Sequence, residues 1–328
     1  NFALYVSGHK TPRATDAGRT GVVEPTPQCP ELAHLSGGTR DDVAVPAGAY
    51  NVLHTPIPLA ERLASDPRFA LLSFTGSSAV GWHLKEVAGR KKVVLELGGN
   101  AAAVVHEDAG DLDWVAQRLA LGAFSYAGQV CIKVQRILVH APVYERFVRK
   151  FVAASAALVV GNPVDPNTVV GPMIDVGAAD RIESWIQEAE QAGAKILLRG
   201  TRSGNLVGPS IISGAPRDAK VTERELFGPV ATVAPYVDWG SALDSVNDSA
   251  FGLQAGVFTH DINRIFEAFN RLEVGGVIVN DFPTLRVDNY PSGGVKPSGF
   301  VREGVRSALD DMSDPRMLVL SLNRCRSA

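Results

Sequence analysis

From Tyr50 onward the chain alternates short apolar runs with longer stretches whose apolar residues recur every three or four positions. The apolar runs, at Tyr50–Leu53, Ala70–Phe74, Lys92–Leu97, Ala102–Val105, Ile132–Val139, Lys195–Leu198, Ala231–Tyr236, Gly256–Thr259, Gly276–Val279 and Met317–Leu322, predict strands. Between them, helical spacing predicts helices over Leu59–Ala64, Ala79–Val87, Leu112–Tyr126, Tyr144–Val159, Val176–Ala192, Ser241–Asn247 and Asn263–Leu272. In Val176–Ala192, for example, Val176, Ala179, Ile182, Ile186 and Ala189 fall on one face. Strand–helix alternation of this kind argues for a parallel sheet with crossover helices, an α/β fold. Residues 1–45 read differently. Ala3–Val6 and Thr20–Val23 predict short strands, Ser36–Asp42 predicts a loop, and no complete supersecondary unit stands out.

Composition narrows the picture. The 328 residues are 45% hydrophobic, enough for a sizeable core spread over two domains or one domain and a satellite. A formal net charge of -3 gives no reason to expect nucleic acid or an anionic membrane as partner. No apolar run is long enough to span a bilayer, and the N-terminus lacks the basic and apolar regions of a signal peptide. The three cysteines, Cys29, Cys131 and Cys325, offer neither a disulfide framework nor a CxxC pair, which favours the cytoplasm. The seven histidines are scattered, with no HxxxH pair, so no metal site is expected.

Chemistry concentrates in a few clusters. Cys131 ends Gly128-Gln129-Val130-Cys131, between a predicted helix and a predicted strand, where a thiol can face a cleft and Gly128 permits a tight turn. Nearby backbone N–H groups would favour its thiolate. Most free cysteines, however, are simply small buried apolar residues. Glu96 stands in the otherwise apolar Val93-Val94-Leu95-Glu96-Leu97, where a carboxylate needs partners or a task; proton transfer is one, an edge strand facing water is the alternative. Phe74-Thr75-Gly76-Ser77-Ser78 joins a strand to a helix, a place where free N–H groups can hold phosphate, though an ordinary turn has the same form. Glu225-Leu226-Phe227-Gly228-Pro229 sets a carboxylate near an aromatic ring, suited to a sugar hydroxyl and a flat heterocycle or to a plain loop. Asn280 and Asp281 close a strand and open a loop that carries Arg286 and runs to Gly299; such loops line sites in α/β proteins.

In content and order these clusters resemble the aldehyde dehydrogenase superfamily. The matching pieces are Phe74-Thr-Gly-Ser, Glu96-Leu-Gly-Gly-Asn100, Gly128-Gln-Val-Cys131, Glu225-Leu-Phe-Gly-Pro229 and Pro291-Ser-Gly-Gly-Val-Lys296-Pro-Ser-Gly299, within about residues 44–322. Asn100 and Arg286-Val-Asp-Asn look more like the lactaldehyde and semialdehyde side of the superfamily. The resemblance implies oxidation of an aldehyde to a carboxylic acid, with Cys131 as nucleophile and Glu96 as activator of the hydrolytic water. It implies NAD or NADP as cofactor, met by Gly76, Ser77, Leu97, Gly98, Glu225 and Phe227, and a small-molecule aldehyde bordered by Asn280 and Arg286. It also implies a homo-oligomer, with Met317–Leu322 as the oligomerisation strand.

The start of the chain departs from that pattern. A large block normally found upstream of Pro46 is missing, so the resemblance implies an incomplete Rossmann-like cofactor domain. The domains expected are remnant N-terminal strands and loop (1–43), a partial NAD(P)-binding domain (44–97) with part of 300–312 returning to it, a catalytic domain (98–290), and a C-terminal return segment with the oligomerisation strand (291–328). Two alternatives accompany the dehydrogenase: an internally deleted derivative acting at most as a subunit partner, and a cofactor-independent thiol esterase using Cys131 and Glu96.

Overall fold

The computed structural model of the chain describes residues 3–41 and 45–321. These fall into two compact units, Glu61–Glu303 and, separately, Phe2–Ala60 with Gly304–Ala328. The chain opens with α1 (Ala3–Asp16), β1 (Gly21–Val23), α2 (Glu31–Asp41) and β2 (Tyr50–Val52). The expected strand at Ala3–Val6 is therefore helix. The expected loop at Ser36–Asp42 is helix through Asp41, with Asp42 outside the described residues. Gly37 and Gly38 weaken a helix but are tolerated within one. β1 and β2 pair in parallel, Gly21 opposite Tyr50 and Val23 opposite Val52, so that α2 is the crossover of a complete βαβ unit that the sequence reading did not find.

The larger unit begins inside α3 (Ile57–Ser65) and holds two sheets that matter for function. β3 (Leu71–Thr75) leads through α4 (Ser78–Val87) to its parallel partner β4 (Lys92–Glu96). The seven-stranded sheet starts with β5 (Ala101–Val105), and α5 (Leu112–Phe124) crosses to β6 (Val134–His140). Then follow α6 (Ala141–Ala156), α7 (Val176–Gln191), β7 (Lys195–Leu198), the small hairpin β8 (Arg202–Ser203) and β9 (Leu206–Val207), and β10 (Ser210–Ser213). After α8 (Lys220–Glu223) come β11 (Val230–Tyr236), α9 (Trp239–Asn247), β12 (Gln254–Phe258), α10 (Ile262–Arg271) and β13 (Gly276–Val279). The order across the sheet is β13-β12-β5-β6-β11-β10-β7, parallel except for the last pair. β14 (Gly299–Phe300) returns antiparallel to β4, making that strand the middle of three.

The central strands explain their own sequence. β5 is buried at every position, as befits a strand covered on both faces, and so reads as a continuous apolar run. One face packs Ala103, Val105 and Ile137 against Leu119, Phe147, Phe151 and Ile182. The other packs Ala102 and Val104 with Leu243, Val257 and Leu272. Helices on both faces complete a doubly wound α/β body.

The smaller unit regains the chain at its end. α11 (Val305–Asp311) packs on α1, and Arg19 Nε donates to the carbonyl of Met312 at 2.9 Å. The expected return of part of 300–312 was to residues 44–97; α11 packs instead on α1, ahead of that span. The expected terminal strand does not form: residues 317–321 form no strand and leave Met317, Leu318, Val319 and Leu320 exposed, while Leu322 lies outside the described residues.

Candidate active site

Cys131 owes its position to an unusual turn. After α5, Tyr126, Ala127 and Gly128 hold φ of 55°, 54° and 64°, three successive left-handed residues. Only glycine takes that conformation without cost. At Gly128 space forbids a side chain as well, since a Cβ would lie 2.2 Å from the carbonyl oxygen of Gly228. Gln129 is buried and fixes the turn, its amide nitrogen donating to the carbonyls of Tyr126 and Pro172 and its oxygen accepting from the Ile174 N–H at 2.8 Å. Thr284 Oγ1 donates to the carbonyls of Ile132 and Gly122, tying the loop after β13 to the same turn. Gln129 and Thr284 are positioning residues that sequence reading missed; only the fold brings their partners together.

Glu96 closes β4 opposite Thr75 on one side and Gly299 on the other. It is 8% exposed, so the edge-strand alternative does not hold. Gly98 and Gly99 follow, each in close contact with a chemical group. A Cβ on Gly98 would fall 2.0 Å from Glu225 Oε2, and one on Gly99 would fall 2.5 Å from the carbonyl oxygen of Cys131. The Gly99 N–H donates to Glu225 Oε1 at 3.0 Å. Two glycines thus let the backbone lie between the thiol segment and a carboxylate.

The loop bearing Glu225 is clamped from β6 and the residue before it. Gln135 donates to the carbonyl of Arg224 and accepts from the N–H of Leu226, gripping the backbone on both sides of Glu225. Lys133 Nζ donates to the carbonyl of Val230 at 2.5 Å. Phe227 has φ 44°, strained for a bulky residue, and its ring is partly exposed. Ser77 caps α4, its hydroxyl accepting from the Val80 N–H, and leaves a ten-residue helix with an exposed N-terminus beside Gly76. Leu97 is buried, with Gly81 of α4 packed on its side chain, and its N–H is taken by the carbonyl of Ser298, so only its own carbonyl is left to offer a ligand.

Beyond β13, Asn280 takes φ 53° and its side-chain oxygen accepts from the Thr259 N–H at 3.0 Å. That bond ties the end of β13 to the residue after β12. Arg118 grips Asp281 through two hydrogen bonds of 2.9 Å. Arg286 is half-buried and pairs with Glu303 at 3.3 Å. Gly293 sits beside Glu96, where a Cβ would lie 3.0 Å from Oε1.

Electrostatics confirm the convergence. The Cys131 residue presents surface to solvent, yet protein crowds the thiol itself. Burial first, then the charges of Glu96 and Glu225, push the thiol up to about 12, while Arg286 and the Ile132 N–H pull it down. The resting protein therefore holds a neutral thiol. The backbone donors that sequence reading expected to favour thiolate are outweighed by burial first and by the carboxylates second. Burial raises Glu225 to about 6, against the Gly99 N–H, Arg181 and Lys133, and burial drops Lys133 to about 7. The arrangement sets a thiol, a buried carboxylate and a second carboxylate on a glycine cradle around one place, with a guanidinium at its border. Cys29 is partly buried and stands in the other unit; Cys325 lies outside the described residues.

Comparison with known proteins gives the family and the fold. Residues 1–318 match the aldehyde dehydrogenase family. The 3-sulfolactaldehyde dehydrogenase of Priestia aryabhattai is 42% identical over 323 residues, 98% of this chain and 68% of that protein. Aldehyde dehydrogenase 21 from Physcomitrella patens, solved in complex with the reaction product succinate, superposes with a TM-score of 0.93 at 43% identity, covering 95% of this chain and 65% of that one. The glyceraldehyde-3-phosphate dehydrogenase GapN of Methanocaldococcus jannaschii, complexed with NADP, gives a TM-score of 0.91 at 38% identity, covering 96% and 69%. This chain spans about two thirds of the length of these relatives.

Proposed function

Because the chain belongs to the aldehyde dehydrogenase family, we propose that it oxidises a small aldehyde to the carboxylic acid with NAD or NADP, using Cys131 as nucleophile. The observation that carries this reading is the Gly98-Gly99 backbone, which follows Glu96 and lies against both Glu225 and the Cys131 carbonyl; the charges of Glu96, Glu225 and Arg286 all act on the thiol. The residues present fit the dinucleotide. Gly98 and Gly99 cradle a carboxylate against bare backbone, Phe227 offers a partly exposed ring, and Ser77 opens a helix whose free N–H groups suit a phosphate. Glu225 would take ribose hydroxyls, Phe227 would flank the ring, and Gly76, Ser77 and the backbone of Leu97 and Gly98 would meet the remainder. When bound, the cofactor supplies the acceptor for the hydride.

Cys131 adds through its sulfur to the aldehyde carbon and the thiol proton passes to the aldehyde oxygen, forming a thiohemiacetal on sulfur. Its own backbone N–H stands ready as an oxyanion donor. Departure of hydride to the bound acceptor and of the hydroxyl proton to water would leave a thioester on Cys131. Glu96, buried at the end of β4, takes a proton from water, whose oxygen attacks the thioester; the acid departs and the thiol returns. Arg286 at the border favours aldehydes with an anionic tail. Asn280 serves by holding the turn on which that loop depends.

We further propose that the protein works as a cytoplasmic homo-oligomer. The exposed apolar run Met317–Leu320 supports assembly, and no helix among the described residues is long and apolar enough to cross a membrane. The division 1–43, 44–97, 98–290 and 291–328 remains part of the proposal for how function maps on the chain.

The test is to assay NAD(P)H formation from lactaldehyde and succinic semialdehyde with the wild-type chain, Cys131→Ser and Glu96→Gln. Cofactor reduction lost in Cys131→Ser, with an acyl-enzyme trapped in Glu96→Gln, supports the reading. Ester hydrolysis without cofactor reduction would instead indicate the thiol esterase. Neither activity would leave the subunit-partner derivative.

A further inference from the structure

Three neighbouring parallel strands carry the active site at their N-terminal ends. Gly99 precedes β5, Cys131 precedes β6, and Glu225 precedes β11. Their C-terminal ends, where ligands more often bind in α/β sheets, hold a separate cluster. His106 follows β5, His140 ends β6, and Tyr236 ends β11 directly opposite His140. The register stacks their rings, His106 on His140 at 4.6 Å and 13°, His140 on Tyr236 at 5.2 Å and 26°. Trp239 stands edge-on to His106 and Tyr236. β6 is seven residues long, which at about 3.3 Å per residue puts this cluster roughly 20 Å from the thiol.

Three observations point to a ligand here. The donor atoms of His106, Glu107 and His140 lie within 4.8 Å of one another, with Glu107 Oε2 3.6 Å from His140 Nδ1. His106 is buried, with Nδ1 2.9 Å from Asp108 Oδ1 and 3.5 Å from the Asp108 N–H; in the tautomer that donates from Nδ1 to the carboxylate, Nε2 keeps its lone pair. Asp108 is held in turn by Thr259 Oγ1 at 2.9 Å. A carboxylate behind a histidine is the usual support of a metal ligand. Finally, His140 Nδ1, Tyr236 Oη and Trp239 Nε1 are all buried without a hydrogen-bond partner, and Tyr236 is only 7% exposed. Native interiors rarely leave such atoms unsatisfied, and three in one box call for a bound species.

We propose that His106, Glu107 and His140 bind one divalent transition-metal ion, with water completing the shell and Tyr236 Oη hydrogen-bonded to that water. Two imidazoles and one carboxylate suit zinc, cobalt or nickel over calcium and magnesium, which prefer oxygen throughout. The stacked rings set their lone pairs side by side, so binding requires one ring to turn. His140 is that ring, because Asp108 pins His106 and no hydrogen bond holds His140 Nδ1. Glu107 is half exposed and gives the ion its way in. So far from Cys131, the ion would brace the sheet and take no part in the chemical step.

Cobalt(II) titration of the Cys131→Ser protein tests the site, since that background removes the nearest competing thiolate. One equivalent should bind with visible d–d absorption and no near-ultraviolet thiolate band, and zinc should displace it. His140→Phe keeps the ring stack and Glu107→Gln alters a half-exposed side chain, so both should keep their circular dichroism and melting profile while binding cobalt at least about tenfold more weakly. No stoichiometric uptake by Cys131→Ser, a thiolate band in its spectrum, or undiminished uptake in both variants would overturn the proposal.

Discussion

The backbone N–H of Gly99 donates to Glu225 Oε1 at 3.0 Å, and neither Gly98 nor Gly99 has room for a Cβ. A carboxylate is thereby held beside the Cys131 segment by a main-chain hydrogen bond. Burial raises it to about 6 in spite of that hydrogen bond, Arg181 and Lys133. Its protonation falls within an ordinary assay range.

Cofactor affinity should therefore weaken as pH falls from 7 to 5, because protonated Glu225 loses one acceptor and its charge. Glu225→Gln should bind weakly at both values and flatten the profile. The stability effect has the opposite sense. A raised carboxylate contributes stability below its unfolded value of 4.5 and loses that contribution as pH rises through about 6. Calorimetric titration of NAD and NADP across this window decides the matter, and a flat wild-type profile would count against Glu225 as a cofactor ligand.

Gly98→Ala and Gly99→Ala should each cost about 1–3 kcal/mol in stability by overpacking. Their activity losses should differ in kind. Gly98→Ala displaces Glu225 and should raise the cofactor KM, whereas Gly99→Ala presses on the Cys131 carbonyl and should lower kcat. Denaturant melts and steady-state kinetics on both variants separate the two effects.

A thiol pushed up to about 12 should alkylate slowly in the cofactor-free protein. Glu96→Gln removes one of the charges that raise it, so iodoacetamide should label Cys131 faster in that variant at pH 8. Mass spectrometry of the labelled peptides reads the rate. Unchanged labelling would mean that Glu96 does not face the thiol.

The strand–helix alternation of residues 50–280 was legible because each central strand is buried on both faces and so reads as an apolar run. Cys131, Glu96 and Glu225 could be singled out as charged or reactive groups in apolar or glycine-rich settings. The first 41 residues misled for a physical reason. The apolar Ala3–Val6 resembles a strand only while its continuation is ignored, and two glycines in α2 mask a helix that the βαβ crossover sustains. The expected terminal strand shows the converse, since residues 317–321 have a strand's composition but pair with no strand among the described residues. The His106–His140 cluster was invisible because register across β5 and β6, not sequence spacing, brings its rings together. Gln135 and Lys133 were likewise silent, as their partners lie near residues 221–230.

Arg286 lies close enough to Cys131 to lower its thiol, and it is partly paired with Glu303. Arg286→Leu should lower kcat/KM for semialdehydes with a carboxylate tail about 10- to 100-fold more than for neutral aldehydes of equal size, the range expected for a charge-assisted contact of roughly 1.5–3 kcal/mol. Arg286→Lys should recover part of the difference. Because Glu303 is buried, both variants should also melt lower, so the ratio between substrates is the readout. Equal loss on both substrates would assign Arg286 to structure alone.

Lys133 tests whether a buried amine underlies the cofactor loop. It is 4% exposed, donates to the Val230 carbonyl, and is lowered by burial to about 7 while Glu225 works the other way. An unfolded lysine titrates near 10.5. Between those values the unfolded chain binds a proton that the folded chain has released, so folding stability rises with pH by up to about 1.4 kcal/mol per unit. The contribution is complete above about 10.5 and is lost as pH falls through about 7. Lys133→Met fills a similar volume and removes the titration, along with the bond to Val230. The wild type should therefore gain stability relative to Lys133→Met as pH is raised from 7 to 10, and the variant should match or exceed it near pH 7, where the buried ammonium is least favourable. Urea melts of the two proteins at several pH values give the difference directly. A constant difference across the range would show that Lys133 keeps its proton in the fold, held by Glu225 more strongly than burial opposes it.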